Sequence, residues 1–364
     1  MKIKIHSLPR LLPVSFIALL LCQLAAVAPM LGQSERKITQ LADGVYEIQH
    51  PTNHVGFVSG NSTVIIGDRQ VFVVDSCFLP SAAREDIAQI RQWTDKPVSF
   101  VLNTHFHIDH NIGNRTYMDA FPGLTVIAHV ETKKQMDMFG PSAARRMGEN
   151  SVRLQKMLDT GKTADGQTLT EDDKAEVKGA IGRQAAGLEE LRKVDFQSAT
   201  LTFDHDFTVD IGHREVQVKF LGRGNTDGDA VVYLPKEKIA IAGDLVVYPL
   251  PYIFDGYPTE WIRTLDNLAR LDADTIVPGH GPVMHDKAHI YLIRDFIKSA
   301  VDQMNEKLRQ TRPAMTQTLD DVKGSVDLAS FRPRFAGTDK DLGDEFDNTA
   351  SQLVRLVFLE ASMR

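Results

Sequence analysis

The chain has 364 residues, 43% of them hydrophobic and 24% charged, and its 41 Lys and Arg stand against 48 Asp and Glu for a formal charge of −7. This is ordinary globular material, long enough for one large domain plus additions, with no internal repeat and no low-complexity tract. An acidic surface repels phosphates and argues against nucleic acid as a partner.

The N-terminus has the form of a secretory signal peptide over residues 1–32. Lys2, Lys4 and Arg10 precede an apolar run from Leu11 to Ala28 that closes on the small residues Ala26 and Ala28. A retained membrane anchor is the alternative, because the run approaches spanning length. Leu21 before Cys22 is not the small residue a lipoprotein signal needs, and Pro29 shifts cleavage toward Gly32. The expected location is therefore periplasmic or secreted. Loss of the three basic residues moves the formal charge from −7 to −10, since no Asp or Glu lies in the first 28 residues. Cys77 is then the remaining cysteine, so no intramolecular disulfide supports the fold. It is expected as a small buried filler.

Strand signals follow at Val45 to Ile48, Phe57 to Val58, Val64 to Ile66, Val71 to Val74, Ser99 to Leu102, Leu124 to Ala128, Val216 to Leu221, Val231 to Leu234, Ile239 to Ala242 and Thr275 to Val277. Helical periodicity marks Ala82 to Trp93 and Trp261 to Leu271. Between Glu131 and Ala199, apolar residues at helical spacing (Met147, Leu154, Leu158, then Val177, Ile181, Ala185, Leu188) flank a polar break at Gly161 to Gly166. They predict a helical insertion over 131–199, serving as sheet cover, oligomer contact or substrate lid. After a main domain over 38–290, residues 291–364 read as a helical C-terminal extension. Ile293, Ile297, Ala300, Met304 and Leu308 share one helical face, Phe346, Ala350, Leu353 and Val357 another, and a polar linker around Thr311 to Asp344 separates them. The extension and the insertion are the candidate surfaces for a homo-oligomer.

The most informative segment is Asn103 to Asn114, NTHFHIDHNIGN. His105 and His107 alternate on a turn leaving a buried strand and aim at one point, while Asp109 and His110 face a second point nearby. Imidazoles and a carboxylate suit a borderline cation such as zinc, and two ligand sets suggest a two-metal centre. Downstream, Asp244 closes an apolar strand in IAIAGDLVV and His280 lies in IVPGHGP.

HFHIDH resembles the HxHxDH signature of the metallo-β-lactamase superfamily, and Asp244 and His280 follow in the family's order. The resemblance covers roughly residues 40 to 285 and implies an αββα sandwich with metal ligands on loops at one edge. It makes Asp244 a bridging ligand, His280 the last ligand and Asp75 a supporting aspartate, and it suggests a mobile flap around His54 to Gly60. One position departs from the pattern. In LGRGNTDGDAVVYLP, Asn225 stands where the family has histidine. The first ligand set then keeps His105, His107 and Asp244 with an amide as its fourth member, whereas Asp109, His110, His280 and Asp244 form a complete second set. An amide oxygen is a weaker zinc ligand than imidazole, which implies one tightly bound Zn2+ and a second, weaker metal or none.

The resemblance implies hydrolysis of a small-molecule ester, thioester, lactone or lactam by metal-activated water. Asp109 would orient that water, and Asn225 would coordinate metal or donate a hydrogen bond to the oxyanion. Aromatic residues after Asp244, among them Tyr248, Tyr252 and Trp261, are the expected substrate wall, and Arg223 could hold a substrate carboxylate. A single-zinc β-lactamase and a non-catalytic binding protein of the same fold are the alternatives.

Overall fold

Short β-branched runs broken by Gly, Asp and Pro build two sheets in the computed structural model, which describes residues 36–50, 59–162, 168–310 and 318–363. The leader expected over 1–32, the strand at 57–58 and most of the expected flap lie outside those residues. The first sheet runs β1 (Lys37–Ala42), β2 (Val45–Gln49), β3 (Ser62–Ile66), β4 (Val71–Val74), β5 (Val98–Leu102), β6 (Thr125–His129) and β7 (Leu201–Phe203) in spatial order. Its pairs are antiparallel as far as β4 and parallel beyond it. The second sheet is ordered β12 (Thr275–His280), β11 (Ile239–Val247), β10 (Ala230–Leu234), β9 (Glu215–Phe220) and β8 (Phe207–Asp210), with only β11 and β12 parallel.

Alternation along the strands sends one face of each sheet inward. Ile65, Phe72, Val74 and Leu102 of the first sheet meet Val216, Val218, Val232, Ile241 and Val277 of the second. The opposite faces are covered by helices, because a sheet apolar on both faces must bury both. Helix α1 (Pro80–Trp93) lays Ala83, Ile87 and Ile90 on the first sheet, joined by Tyr117 of α2 (Asn114–Ala120). Helices α5 (Pro258–Arg270) and α6 (Ala288–Gln310) cover the second through Trp261, Leu265, Leu268, Ile293 and Ile297. The layers are helix, sheet, sheet, helix, the expected αββα sandwich. Among the described residues no helix is long and apolar enough to cross a membrane.

Strands β1, β7 and β8 carry no clear signal in the sequence. They are short and largely exposed, and β1, β7 and β8 lie at sheet edges where cross-strand pairing, not an apolar stripe, defines them. The stretch between β6 and β7 forms two helices, α3 (Val130–Thr160) and α4 (Glu171–Arg192), the second begun by a reciprocal Thr170 and Asp173 capping box. Leu188 and Leu191 of α4 pack on Phe78 and Ile112, next to Ile108, and so press against the HFHIDH loop. The linker expected around Thr311 to Asp344 is corrected from Thr318 onward. There the chain forms α7 (Leu319–Val322), two 3-10 turns and α8 (Arg332–Ala336) before the last helix α9 (Lys340–Ser362). Val322, Leu328, Phe331 and Phe335 are buried with Phe296 and Phe346. Single apolar residues at irregular spacing bury one at a time and leave no periodicity to read.

This topology places the chemistry. The parallel pairs β4–β5 and β11–β12 bring four strand ends to a common edge, and Asp75, the HFHIDH loop, Asp244 and His280 sit there.

Candidate metal centre

The HFHIDH loop leaves β5 and would expose several backbone carbonyls in a buried place. Asparagines take them: Asn103 Nδ2 donates to the His110 carbonyl (3.2 Å), and Asn111 Nδ2 donates to the carbonyls of Phe106 (2.9 Å) and His107 (2.8 Å). Asn114 Nδ2 in turn donates to Asn103 Oδ1 (2.8 Å). With its main chain satisfied, the loop holds its imidazoles in one arrangement. Two glycines let backbone approach them: a Cβ on Gly60 would overlap the His110 ring, and one on Gly279 the Asp244 carboxylate.

The ligand atoms converge in two groups. His105 Nε2 faces His107 Nδ1 at 2.9 Å and Asp244 Oδ2 at 3.6 Å. On the other side His110 Nε2 lies 3.1 Å from His280 Nε2, 3.3 Å from Asp244 Oδ1 and 3.4 Å from Asp109 Oδ2, and His280 Nε2 is 3.0 Å from that Asp109 oxygen. Each oxygen of Asp244 therefore addresses a different imidazole set. His105 and His110 are fully buried, and Asp244 and His280 are nearly so.

Asp75 selects which nitrogen His110 presents. Its Oδ2 lies 2.8 Å from His110 Nδ1 and accepts from Thr104 Oγ1 (2.8 Å), while its Oδ1 accepts from Thr104 N (2.8 Å). A donating Nδ1–H leaves Nε2 as the free lone pair. Asp75 stands at φ 59°, a left-handed conformation uncommon for a residue with a side chain, which turns the chain out of β4 and puts the carboxylate under His110.

Electrostatics set the imidazoles apart one by one: burial opposes charge on His107, yet Asp255, Asp109 and Asp244 hold it above its usual range. Burial drives the His105 imidazole well below its usual range, helped by the neighbouring His110. Burial also acts on His110, but the charges of Asp109, Asp244 and Asp75 outweigh it and hold that imidazole well above its usual range. Asp109 and Asp244 are desolvated too, yet the facing histidines keep both below the ordinary carboxylate range.

A divalent ion fits this donor set. Asp244 Oδ1 is buried without a hydrogen-bond partner although imidazole nitrogens stand near it, and His107 Nε2, Asn225 Oδ1 and His280 Nδ1 are likewise buried without partners. Lone pairs that face one another at about 3 Å need a proton or a cation between them. The same residues group as two candidate ion sites, His105 with His110 and Asp244, and Asp109 with His110 and His280.

A family model described as "Metallo-beta-lactamase superfamily" matches residues 55–280. The chain belongs to the metallo-beta-lactamase superfamily. It is similar to a linear primary-alkylsulfatase of Pseudomonas sp. (strain ATCC 19151), at 23% identity over 283 residues that cover 72% of this chain and 50% of that protein. It is also similar to a metallo-beta-lactamase type 2 of Bacillus sp. (strain 170), at 31% identity over 93 residues, 24% of this chain and 36% of the enzyme. The chain thus spans half or less of the length of these relatives. Among solved structures, the DIM-1 metallo-beta-lactamase aligns with TM-score 0.51 and 19% identity over 74% of this chain and 100% of that one. The FIM-1 enzyme from Pseudomonas aeruginosa, in a mono-zinc form, aligns with TM-score 0.52 and 15% identity over 74% and 97%. At such identities the structures speak for the fold alone.

Around this superfamily centre the remaining expected residues fare differently. Asn225 is fully buried, and its Nδ2 donates to the Tyr252 carbonyl (2.7 Å), which turns the amide oxygen the other way. Tyr252 stacks edge-on against His280 with centroids 5.0 Å apart, and Phe254 does so against His107 at 6.2 Å. Tyr248 is half-exposed and its ring packs toward His289 on α6, 5.2 Å away. Trp261 is corrected to a core residue: it is fully buried in the helical layer and donates Nε1 to the Leu245 carbonyl (3.3 Å). Arg223 is corrected as a free anion anchor, because Glu260 grips its guanidinium at two points (Nε to Oε2 3.0 Å) and it lies 4.0 Å over the Tyr257 ring.

Two contributors escaped the sequence reading. Thr104 carries the Asp75 contacts and lies 3.0 Å from His105 Nδ1, and Asp255 Oδ2 lies 3.8 Å from His107 Nε2. Thr104 could have been found from its place inside the motif. Asp255 had no signal, because only the fold of the 248–257 loop brings it beside His107.

Proposed function

We propose that this chain is an exported, zinc-dependent hydrolase of small-molecule esters and related acyl compounds, working with one firmly held ion in the half formed by Asp109, His110, His280 and Asp244. The observation that carries this reading is the division of Asp244, one oxygen per imidazole set, with only the His110 side made entirely of strong ligands. The signal-peptide form of residues 1–32 supports export.

A bound divalent ion supplies Lewis acidity that lowers the pKa of a water and polarises the scissile bond. The protein's residues do the rest. Asp109, whose side chain is 18% exposed while the imidazoles around it are sealed, stands at the mouth of the centre and orients the attacking water. Asp75 keeps His110 in the tautomer that offers Nε2. Tyr252 and Phe254 flank the two histidine sets and receive the apolar part of the substrate while excluding bulk water. Asn225, whose buried amide oxygen has no hydrogen-bond partner, is the proposed fourth member of the weaker half.

The long alkylsulfatase alignment favours a second reading of the substrate, a sulfuric ester, since it extends over most of this chain whereas the lactamase alignments cover about a quarter. The test is metal content by elemental analysis together with turnover of chromogenic lactam, thioester, lactone and sulfate-ester substrates. About one zinc per chain with turnover of a carboxylic acyl substrate supports the proposal. Turnover of sulfate esters alone moves it to the second reading, and a metal-loaded protein inert to all four classes overturns hydrolysis in favour of binding.

A further inference from the structure

Beneath the metal-centre edge, on the helical side of the first sheet, lies a second group of ligand-bearing side chains that the hydrolytic reading does not use. His50 at the end of β2, Cys77 just beyond β4 and Asp86 on α1 are all buried, at 4%, 0% and 0% exposure, and their donor atoms lie within 4.8 Å of one another. The three come from separate segments that meet only through the packing of α1 on the sheet.

Their contacts are unusual for a self-sufficient polar network. His50 Nε2 lies 3.3 Å from Ser62 Oγ and 3.2 Å from Asp86 Oδ2, yet that carboxylate oxygen has no hydrogen-bond partner, so the imidazole and the carboxylate face one another without the alignment of a bond. Arg36 takes the other oxygen, Oδ1, at 2.6 Å from the more open side, which leaves Oδ2 to the interior. The Cys77 thiol has only a weak contact to the Leu79 carbonyl at 3.8 Å. A fourth group points to a missing partner: the Tyr117 hydroxyl is fully buried with no hydrogen-bond partner, and Asp86 and Cys77 are the neighbours that, after burial itself, act most on its phenol. Two buried polar atoms, Asp86 Oδ2 and the Tyr117 hydroxyl, thus lie unpaired in one place, which a native interior rarely leaves.

We propose that His50, Cys77 and Asp86 form a second, structural metal site for a borderline divalent cation of the zinc class, with Tyr117 beside the fourth position. One sulfur, one nitrogen and one carboxylate oxygen are a zinc donor set, and a thiolate and a carboxylate offset the charge of a divalent ion, with Arg36 on the carboxylate's more open side, which reduces the cost of burying it. Binding releases the thiol proton to solvent, so occupancy rises with pH. The ion would tie β2, the segment after β4 and α1 together directly below Asp75. It has no open face and no substrate wall, so its role is stability rather than turnover.

Cobalt(II) distinguishes this site from the hydrolytic one, because the hydrolytic centre offers only imidazole, carboxylate and amide donors whereas a thiolate gives an intense near-ultraviolet charge-transfer band. The full chain carrying Cys22→Ser, so that Cys77 is its sole thiol, is stripped of metal and titrated with Co2+. The expected result is a thiolate-to-cobalt band that saturates at about one ion per chain and disappears in Cys77→Ser, while the weaker visible bands of the imidazole centre and the turnover of the cobalt enzyme remain. Asp86→Asn should weaken the band without moving those visible bands. Absence of the near-ultraviolet band in the unmutated-Cys77 chain at saturating Co2+ overturns the proposal whether or not the variants fold, and so does a band that survives Cys77→Ser. The outcome is independent of which substrate, if any, the hydrolytic centre accepts.

Discussion

The two halves of the metal centre share Asp244 and are otherwise built on different terms. On the His110 side, three carboxylates surround one imidazole, and Asp75 fixes its tautomer from behind. On the His105 side, burial pushes that imidazole toward neutrality, while on His107 burial is outweighed by the carboxylates of Asp255, Asp109 and Asp244, which hold it above its usual range. The proposed inequality of the two sets, drawn from one loop and two strands, would then come from what stands behind the ligands as much as from the ligands.

The largest effect is expected where the halves meet. Asp244→Ala removes a ligand from both, and metal affinity should fall ~10²–10³-fold in each half, with turnover lost at limiting metal, taking each ligand as about a quarter of the ~10–16 kcal/mol with which four ligands hold zinc. Retention of one ion at undiminished affinity in that variant would show that Asp244 does not bridge. Next in size is the contrast between single histidines. His110→Ala should weaken the tight ion by ~10²–10³-fold in a chelator competition, and His107→Ala by less than about tenfold. Equal losses would erase the distinction between the halves.

Smaller again is Asp75→Asn, which keeps the shape but no longer holds His110 in one tautomer; metal affinity should drop ~10–100-fold with secondary structure unchanged by circular dichroism. An unchanged affinity would make Asp75 a folding residue only. The smallest change has the opposite sign. Asn225→His supplies the missing imidazole and should raise the affinity of the weaker half by about tenfold or more, bringing bound zinc from about one toward about two per chain. A stoichiometry that does not move would place Asn225 outside the ligand set.

Much of the centre was legible in one dimension because metal ligation is a local demand. His105, His107, Asp109 and His110 lie on a single loop, and His280 closes the apolar strand β12, whereas Asp244, expected at a strand end, lies inside β11 where its register to β12 shifts. The substrate wall was legible only in part. Tyr252 and Trp261 look alike in a cluster of aromatic residues, but Tyr252 lies on a loop against His280 while Trp261 falls on the apolar face of α5, where burial claims the whole indole. Arg223 reads as a free cation until α5 brings Glu260 onto it.

The candidate ligand identities, the amide at Asn225 and the alternation of buried strands are properties of covalent order, because side-chain type and two-residue periodicity do not depend on what packs against them. The sharing of Asp244 between two imidazole sets, the pairing of Asp75 with His110 across 35 positions and the meeting of His50, Cys77 and Asp86 under α1 belong to the tertiary structure. Those contacts join segments far apart in the chain, and only the packing of two sheets and their helices brings such atoms within 4.8 Å of each other.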